Sequence, residues 1–369
     1  MKKWKEQRVN IILGSFLGIL ILLMLLATIC DHSKVSYDHL QKVEPDSVEK
    51  LADGGSVVEL TIDKSVKKCT TVAFCTPHQY VDVYVDGRDV YSLKETAGRW
   101  GHTTGHVWNF VLLPVNTTHL TVKLSPCYPE TANALLTYYV GNGREICMGL
   151  MRQSLPTFII SFIILIVGIY MLGYWLLVCK SEDVDATLLY LGLFSVILGL
   201  WTANETDFAK LLLVNQHATT FAAYILLMAM PIPFVLFVRS FLDFDDKNIW
   251  RVFCGFSMVM CVISCVLHFT GIWELRQSLI LTHIVIVGLL IYLMRAIVFK
   301  FVKRQVGRRL RTCIAALILV ILASIADLIN YYKVGGNTGI WGRISFLIFI
   351  VILGVESASK TASMLRTAE

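Results

Sequence analysis

Charge is scarce in this chain. Asp, Glu, Lys and Arg make up 16% of its 369 residues, against about 25% in ordinary soluble domains. Hydrophobic residues reach 56% and mean hydropathy is +0.64. At about 150 residues per domain the length alone would suggest two or three soluble domains, but most of the apolar residues fall in long unbroken runs. A soluble enzyme, a disordered chain, collagen and a coiled-coil rod are excluded as descriptions of the whole. No CxxC pair occurs, so neither a zinc ribbon nor a thioredoxin-type site is supported. The net charge of +6 does not point to nucleic acid, because the basic residues sit beside hydrophobic runs. No internal repeat and no cofactor-binding pattern is present, and no cofactor is expected.

What the chain has is membrane-length helices. A spanning helix needs about 20 apolar residues, and eight segments qualify: 10–30, 155–179, 186–204, 217–238, 250–270, 277–298, 310–331 and 340–358. The first follows a basic start, Lys2, Lys3, Lys5 and Arg8. Its apolar run is longer than the 7–15 residues of a signal-peptide core, so it reads as an uncleaved anchor. Lys and Arg gather on one side of the spans, which places that side in the cytoplasm. The short loops on the other side carry only Lys210, Arg276, Lys333 and Arg343. Both termini, 1–9 and 359–369, are thus expected in the cytoplasm of a plasma-membrane protein. The loop from Arg295 to Arg311 is basic without an acidic residue. It suits anionic membrane lipid, at about 1 kcal/mol per charge, with a cytoplasmic partner as the alternative.

Residues 31–154 are different in character and are expected outside. Short runs rich in Val, Tyr, Thr and Phe alternate with turn signals, giving strands at Val57–Ile62, Thr70–Phe74, Tyr80–Val85, Val90–Leu93, Val107–Leu112, Leu120–Leu124 and Leu135–Val140. Asp86-Gly87 marks a hairpin. Such a set predicts an all-β, jelly-roll-like sandwich. Cys69, Cys75, Cys127 and Cys147 lie in this outer part, where at least one disulfide is expected; the pairing is open. In Gly101-His102-Thr103-Thr104-Gly105-His106 the histidine spacing suggests a metal, but the glycines argue for a loop and no acidic or cysteine partner is near in sequence. No metal is expected. His78, Tyr80, Trp100 and Trp108 are candidates for an aromatic platform for a carbohydrate or other small ligand, unless they simply pack between the sheets.

Ionisable residues within spans are candidates for function. At about 1.5 Å per residue, His283, Asp327 and Arg343 all lie in the outer part of their helices. Asn204 and Glu205 end theirs on the same side, and Asn330 is one turn beyond Asp327. Four helices therefore bring polar groups to one outer layer, which reads either as a ligand-binding or coupling cluster or as interfacial snorkelling and interhelical hydrogen bonds. Pro231 and Pro233 predict a kink in the 217–238 span. Asp243, Asp245 and Asp246 read as a solvated turn.

Several patterns carry a family resemblance. They are His78-Gln79-Tyr80-Val81-Asp82-Val83-Tyr84-Val85-Asp86-Gly87, Trp108-Asn109-Phe110-Val111-Leu112-Leu113-Pro114, Leu200-Trp201-Thr202-Ala203-Asn204-Glu205, Met230-Pro231-Ile232-Pro233 and Asp327-Leu328-Ile329-Asn330-Tyr331-Tyr332. With the plan of anchor, outer sandwich and seven-helix bundle (155–358), the chain resembles the bacterial seven-transmembrane receptors with diverse intracellular signalling modules. It looks closest to those that precede a GGDEF diguanylate cyclase. The resemblance implies an outer sandwich that senses a ligand and a bundle that passes the signal inward. No GGDEF run, histidine-kinase box or ATP-binding glycine pattern occurs, so this chain is not expected to be an enzyme. The output module is expected to be missing or supplied by a separate cytoplasmic partner, and a homodimer is left open. The competing classes are a transporter, disfavoured by the missing repeat, and a membrane-embedded enzyme, disfavoured by the missing catalytic constellation.

Overall fold

The computed structural model describes residues 40–62, 71–94, 101–132, 136–178, 186–213, 216–242, 248–303, 308–334, 341–350 and 352–353. The expected anchor at 10–30, the C-terminal stub, Cys69, Trp100 and the acidic turn at 243–246 lie outside them.

Nine strands form two antiparallel sheets. One sheet has the order β1 (Gln41–Val43), β9 (Tyr138–Gly141), β4 (Thr71–Pro77), β7 (His106–Leu112). The other has β2 (Ser47–Lys50), β3 (Ser56–Thr61), β8 (His119–Pro126), β5 (Gln79–Val85), β6 (Arg88–Leu93). The period-2 alternation explains the packing: Val81, Val83 and Val85 of β5 point inward while Tyr80, Asp82 and Tyr84 do not. They meet Val58, Leu60, Val122 and Leu124 from their own sheet and Val72, Phe74, Val111, Tyr138 and Val140 from the other. Asp86 and Gly87 both take positive φ, 49° and 74°, as a two-residue hairpin turn requires. All seven expected strands are present. β1 and β2 were not foreseen, because they are short and almost wholly exposed and carry no alternating pattern.

The sandwich runs directly into the helices. Helix α1 (Gly143–Val178) begins one residue after β9 and its loop residue Asn142, well upstream of the span expected from 155. Its first turns bury Ile146 and Leu150. A Cβ at Gly143 would stand 2.9 Å from Thr71 Oγ1, so only glycine lets the helix start this close to β4. The described residues from Gln41 onward cohere as one unit.

Helix α2 (Thr187–Asn204) packs closely on α1. A Cβ at Gly199 would lie 2.7 Å from the backbone nitrogen of Leu165, the small-residue contact by which membrane helices approach. After the short α3 (Asp207–Leu212) come α4 (Gln216–Ala229) and α5 (Pro231–Leu242). The two are one span broken at Met230, where Pro231 lacks the amide hydrogen the helix would use. The expected kink is therefore a break. Next are α6 (Ile249–Phe269), α7 (Leu279–Val302), α8 (Arg308–Val334) and α9 (Trp341–Ile350). Among the described residues six helices are long and apolar enough to cross a membrane, α4 and α5 counting as one, and α9 is a shorter apolar helix. Their outward faces expose Ile166, Tyr170, Val252, Ile291 and Val302, as lipid contact allows. Their inward faces join in a core in which the Phe194 and Phe234 rings stack at 4.5 Å and Phe346 stands 5.1 Å from Phe194.

Candidate functional site

The sandwich and the outer ends of the helices are held together through the Gly101–His106 segment. Gly101 and Gly105 take positive φ, 97° and 78°, which folds the segment into a loop. The loop is tied back to the sandwich: His78 N–H donates to the Gly105 carbonyl (2.7 Å), and Thr104 Oγ1 donates to the Gln79 carbonyl (3.1 Å). Forward, it grips Glu274 in the turn between α6 and α7. His102 reaches Glu274 Oε1 with its backbone N–H at 2.7 Å and with ring Nδ1 at 2.8 Å, and the Tyr128 hydroxyl donates to Oε2. Arg276 lies over the Tyr128 ring at 5.6 Å. A second attachment joins β7 to α3, where Trp108 Nε1 donates to Asp207 Oδ1 at 3.1 Å. The His102 and His106 spacing thus belongs to a docking loop, as the flanking glycines suggested. Among the described residues no cluster of His, Cys, Asp or Glu side chains is placed to hold a metal.

Beneath this junction lies a cavity of about 270 Å³. The sandwich contributes His78 and His106, whose rings meet edge-on at 5.0 Å. The helices and the turns that join them contribute Asn204, Glu205, Lys210, Tyr224, Arg276, His283, Asp327 and Arg343. Deeper, the wall is apolar, and Phe194, Leu198, Phe234, Leu293, Val320 and Phe346 close it. On α7 the lining runs Leu279, His283, Ile286, Leu290, Leu293, the three-and-four spacing of a single helix face.

The polar groups are already arranged. Asn204 Nδ2 donates to the Thr219 carbonyl at 2.9 Å, holding α2 to α4. Lys210 Nζ is 3.7 Å from Glu205 Oε2. Asp327 Oδ2 accepts the Gly342 backbone N–H at 2.7 Å, a group in the first turn of α9 that has no partner within its helix. Arg343 is 5% exposed, and its Nε makes no hydrogen bond among the described residues. The roof is uncharged near neutrality. Burial, then the neighbouring His106 ring and the charges of Arg276 and Lys210, holds the His78 pKa well below the ordinary 6.5. Burial, then Lys210 and Arg276, brings His106 to about 3. For Glu274 burial acts upward, but hydrogen bonds from Tyr128 and His102 outweigh it and hold the carboxyl below its usual value.

The structure brings His283, Asp327, Arg343, Asn204 and Glu205 to one cavity. Asn330 does not line it. Of the outer aromatic candidates, His78 roofs the cavity, Tyr80 donates to the His102 carbonyl at 2.9 Å, and Trp108 binds Asp207. These three lie at the junction between sandwich and helices. Sequence reading missed Lys210, Tyr224, Arg276, Tyr128 and Glu274 as residues of this junction, and weighed His106 only for a metal. The positive-φ glycines flanking His102 were the available signal.

The expected outer disulfide is not formed. Cys75, Cys127 and Cys147 are free thiols, on β4, after β8 and in α1, and any pairing among the four would need at least one of them. They sit on different elements and are not brought together as a pair. Burial pushes the Cys75 thiol up to about 12 and raises that of Cys127 as well.

A family model described as 7TM diverse intracellular signalling matches residues 156–357. The match takes in the helices and leaves the sandwich outside it. No curated protein matches the chain.

Proposed function

This chain belongs to the 7TM diverse intracellular signalling family, and from that premise we propose that it is a membrane receptor whose input is a ligand in the cavity between the sandwich and the outer ends of the helices. The output passes to a signalling module on the opposite side of the membrane. The observation that carries this reading is the shared lining. His78 and His106 come from the sandwich; Asn204, Glu205, His283, Asp327 and Arg343 come from the helices. A ligand there touches both parts, so it can favour one relative position of sandwich and bundle over another. Such a preference is what a ligand needs in order to shift an equilibrium. The basic loops support a topology with the sandwich outside and both termini in the cytoplasm. A reporter active only in the cytoplasm should be silent when inserted after Gly87 and active after Glu369.

The cavity reading is tested with the chain fused to a reporter cyclase at its C-terminus. Leu198→Trp, which fills the apolar floor, should change reporter output several-fold with the amount of protein in the membrane unchanged. Wild-type output from Leu198→Trp and from Phe346→Ala alike would remove the cavity from the signalling path.

A further inference from the structure

We infer that the cavity takes a single-chain amphiphile with a monoanionic carboxylate head, its head on Arg343 and its apolar chain between the phenylalanines of the floor. This rests on the proposal that the cavity is the ligand site. The first argument is the state of the charged groups. Both carboxylates that line the cavity are engaged, Glu205 with Lys210 at 3.7 Å and Asp327 with the Gly342 N–H at 2.7 Å. A cationic head would have to break one of those contacts. Arg343 is the reverse case. It is almost fully buried and its Nε is unpartnered among the described residues; Glu205, Asp327 and Asp207 act on it only through space, with no ion-pair contact among the described residues. A buried guanidinium without a direct acceptor is costly, and a carboxylate suits its planar fork in bidentate fashion.

The second argument is balance. The lining holds Lys210, Arg276 and Arg343 against Glu205 and Asp327, and Asp207 acts on Arg343 from just outside it, so a head of more than one negative charge would meet as many carboxylates as cations. A doubly charged head would face the two lining carboxylates. The third argument is shape. The polar groups lie at one end and the floor of Phe194, Phe234, Phe346, Leu198, Leu293 and Val320 at the other. From His283 to Leu293 the lined face of α7 is about 15 Å long at 1.5 Å per residue. The cavity, about 270 Å³, is near the small end of ligand sites. One acyl chain fits that description and a two-chain phospholipid does not.

The test uses the full chain in nanodiscs of zwitterionic lipid, near neutral pH, titrated calorimetrically with decanoate, decanol and decyltrimethylammonium. Decanoate should bind saturably, decanol at least about tenfold more weakly, and the cation not at all. Arg343→Gln should erase the advantage of decanoate over decanol, Arg343→Lys should keep part of it, and Leu198→Trp should abolish decanoate binding. If decanol binds as tightly as decanoate to the wild type, or Arg343→Gln leaves their ratio unchanged, the ligand class is wrong; loss of that binding in Leu198→Trp then keeps the cavity as the site. Tighter binding of the cation, or no binding of any probe, also overturns the class, and the reporter experiment still judges the cavity. Decanoate binding that survives Leu198→Trp in folded, monodisperse protein puts the site elsewhere and overturns both proposals.

Discussion

Asp327 on α8 accepts the backbone N–H of Gly342 across 2.7 Å, so a side chain of one helix caps the first turn of the next. The cap also fixes Arg343, the following residue, against the cavity. A Cβ on residue 342 would stand 2.8 Å from Asp327 Oδ2, so the pair requires glycine as well as the carboxylate.

Asp327→Ala should therefore lower stability by about 1–3 kcal/mol, the cost of a buried donor left unmade. Asp327→Asn keeps an acceptor and should cost less. Gly342→Ala should disturb the same contact, so the double variant should be less destabilised than the sum of the two. Thermal unfolding in detergent measures all four. Strict additivity would show that the two residues do not act as one unit.

Glu274 is the fastening point of the sandwich. It accepts from the His102 backbone, the His102 ring and Tyr128. Hydrogen bonds to a charged group contribute about 1.5–3 kcal/mol when buried, and the exposed His102 ring contributes at the low end or below. Glu274→Ala should raise amide hydrogen exchange across residues 101–106 and leave the sandwich core, such as Val83 and Val122, protected. Unchanged exchange in that loop would mean that Trp108 and Asp207 hold the junction without it.

The roof histidines give the protein an acid-side weakness. Both folded pKa values lie below the ordinary 6.5, that of His106 at about 3. As pH falls, the unfolded chain takes up protons first. Stability is complete above the ordinary histidine range and is lost as pH drops from about 6.5 toward the folded values, by about 1.4 kcal/mol per pH unit for a buried histidine such as His78. Glu274 acts in the same sense but lower, below its ordinary 4.5. The melting temperature should fall between neutrality and pH of about 5, and His78→Gln with His106→Gln should flatten that slope. An equally steep slope in the double variant would assign it to other groups.

The outer thiols should be unoxidised. Mass mapping without reductant should find Cys75, Cys127 and Cys147 free, and reductant should not move the melting temperature. Cys75, with its pKa near 12, should also react slowly with thiol reagents at mildly alkaline pH, because the thiolate is the reactive form. A disulfide-linked peptide containing any of the three would contradict the structure.

The sandwich strands were legible because a half-buried strand writes its alternation into the chain, as β5 does with Val81, Val83 and Val85. β1 and β2 bury almost nothing and left no such mark. The spans were legible from length and hydropathy, and the break at Met230 from Pro231. The outer layer of His283, Asp327 and Arg343 could be placed by counting residues from helix ends. The counting could not show that Asp327 would turn to a backbone amide and not to Arg343. Asn330, one turn away, falls off the lining face. The junction was the least legible part. His102 and Glu274 are 172 residues apart, and no local period announces a contact made only once both parts have folded. The disulfide expectation failed because compartment permits a bond without bringing two sulfurs together.

Helix α1 has a mechanical consequence. It runs unbroken from Gly143, pressed against Thr71 of the sandwich, to Val178, a rod of about 54 Å at 1.5 Å per residue. That exceeds the roughly 30 Å of a bilayer's hydrocarbon core. A helix of that length can act as a lever pivoting where it meets the sandwich. A tilt of about 5° at the sandwich sweeps the far end by about 5 Å, which is a helical turn's worth of travel delivered without any change in the helix's own hydrogen bonds. Pro156 is the point where that stiffness is weakest.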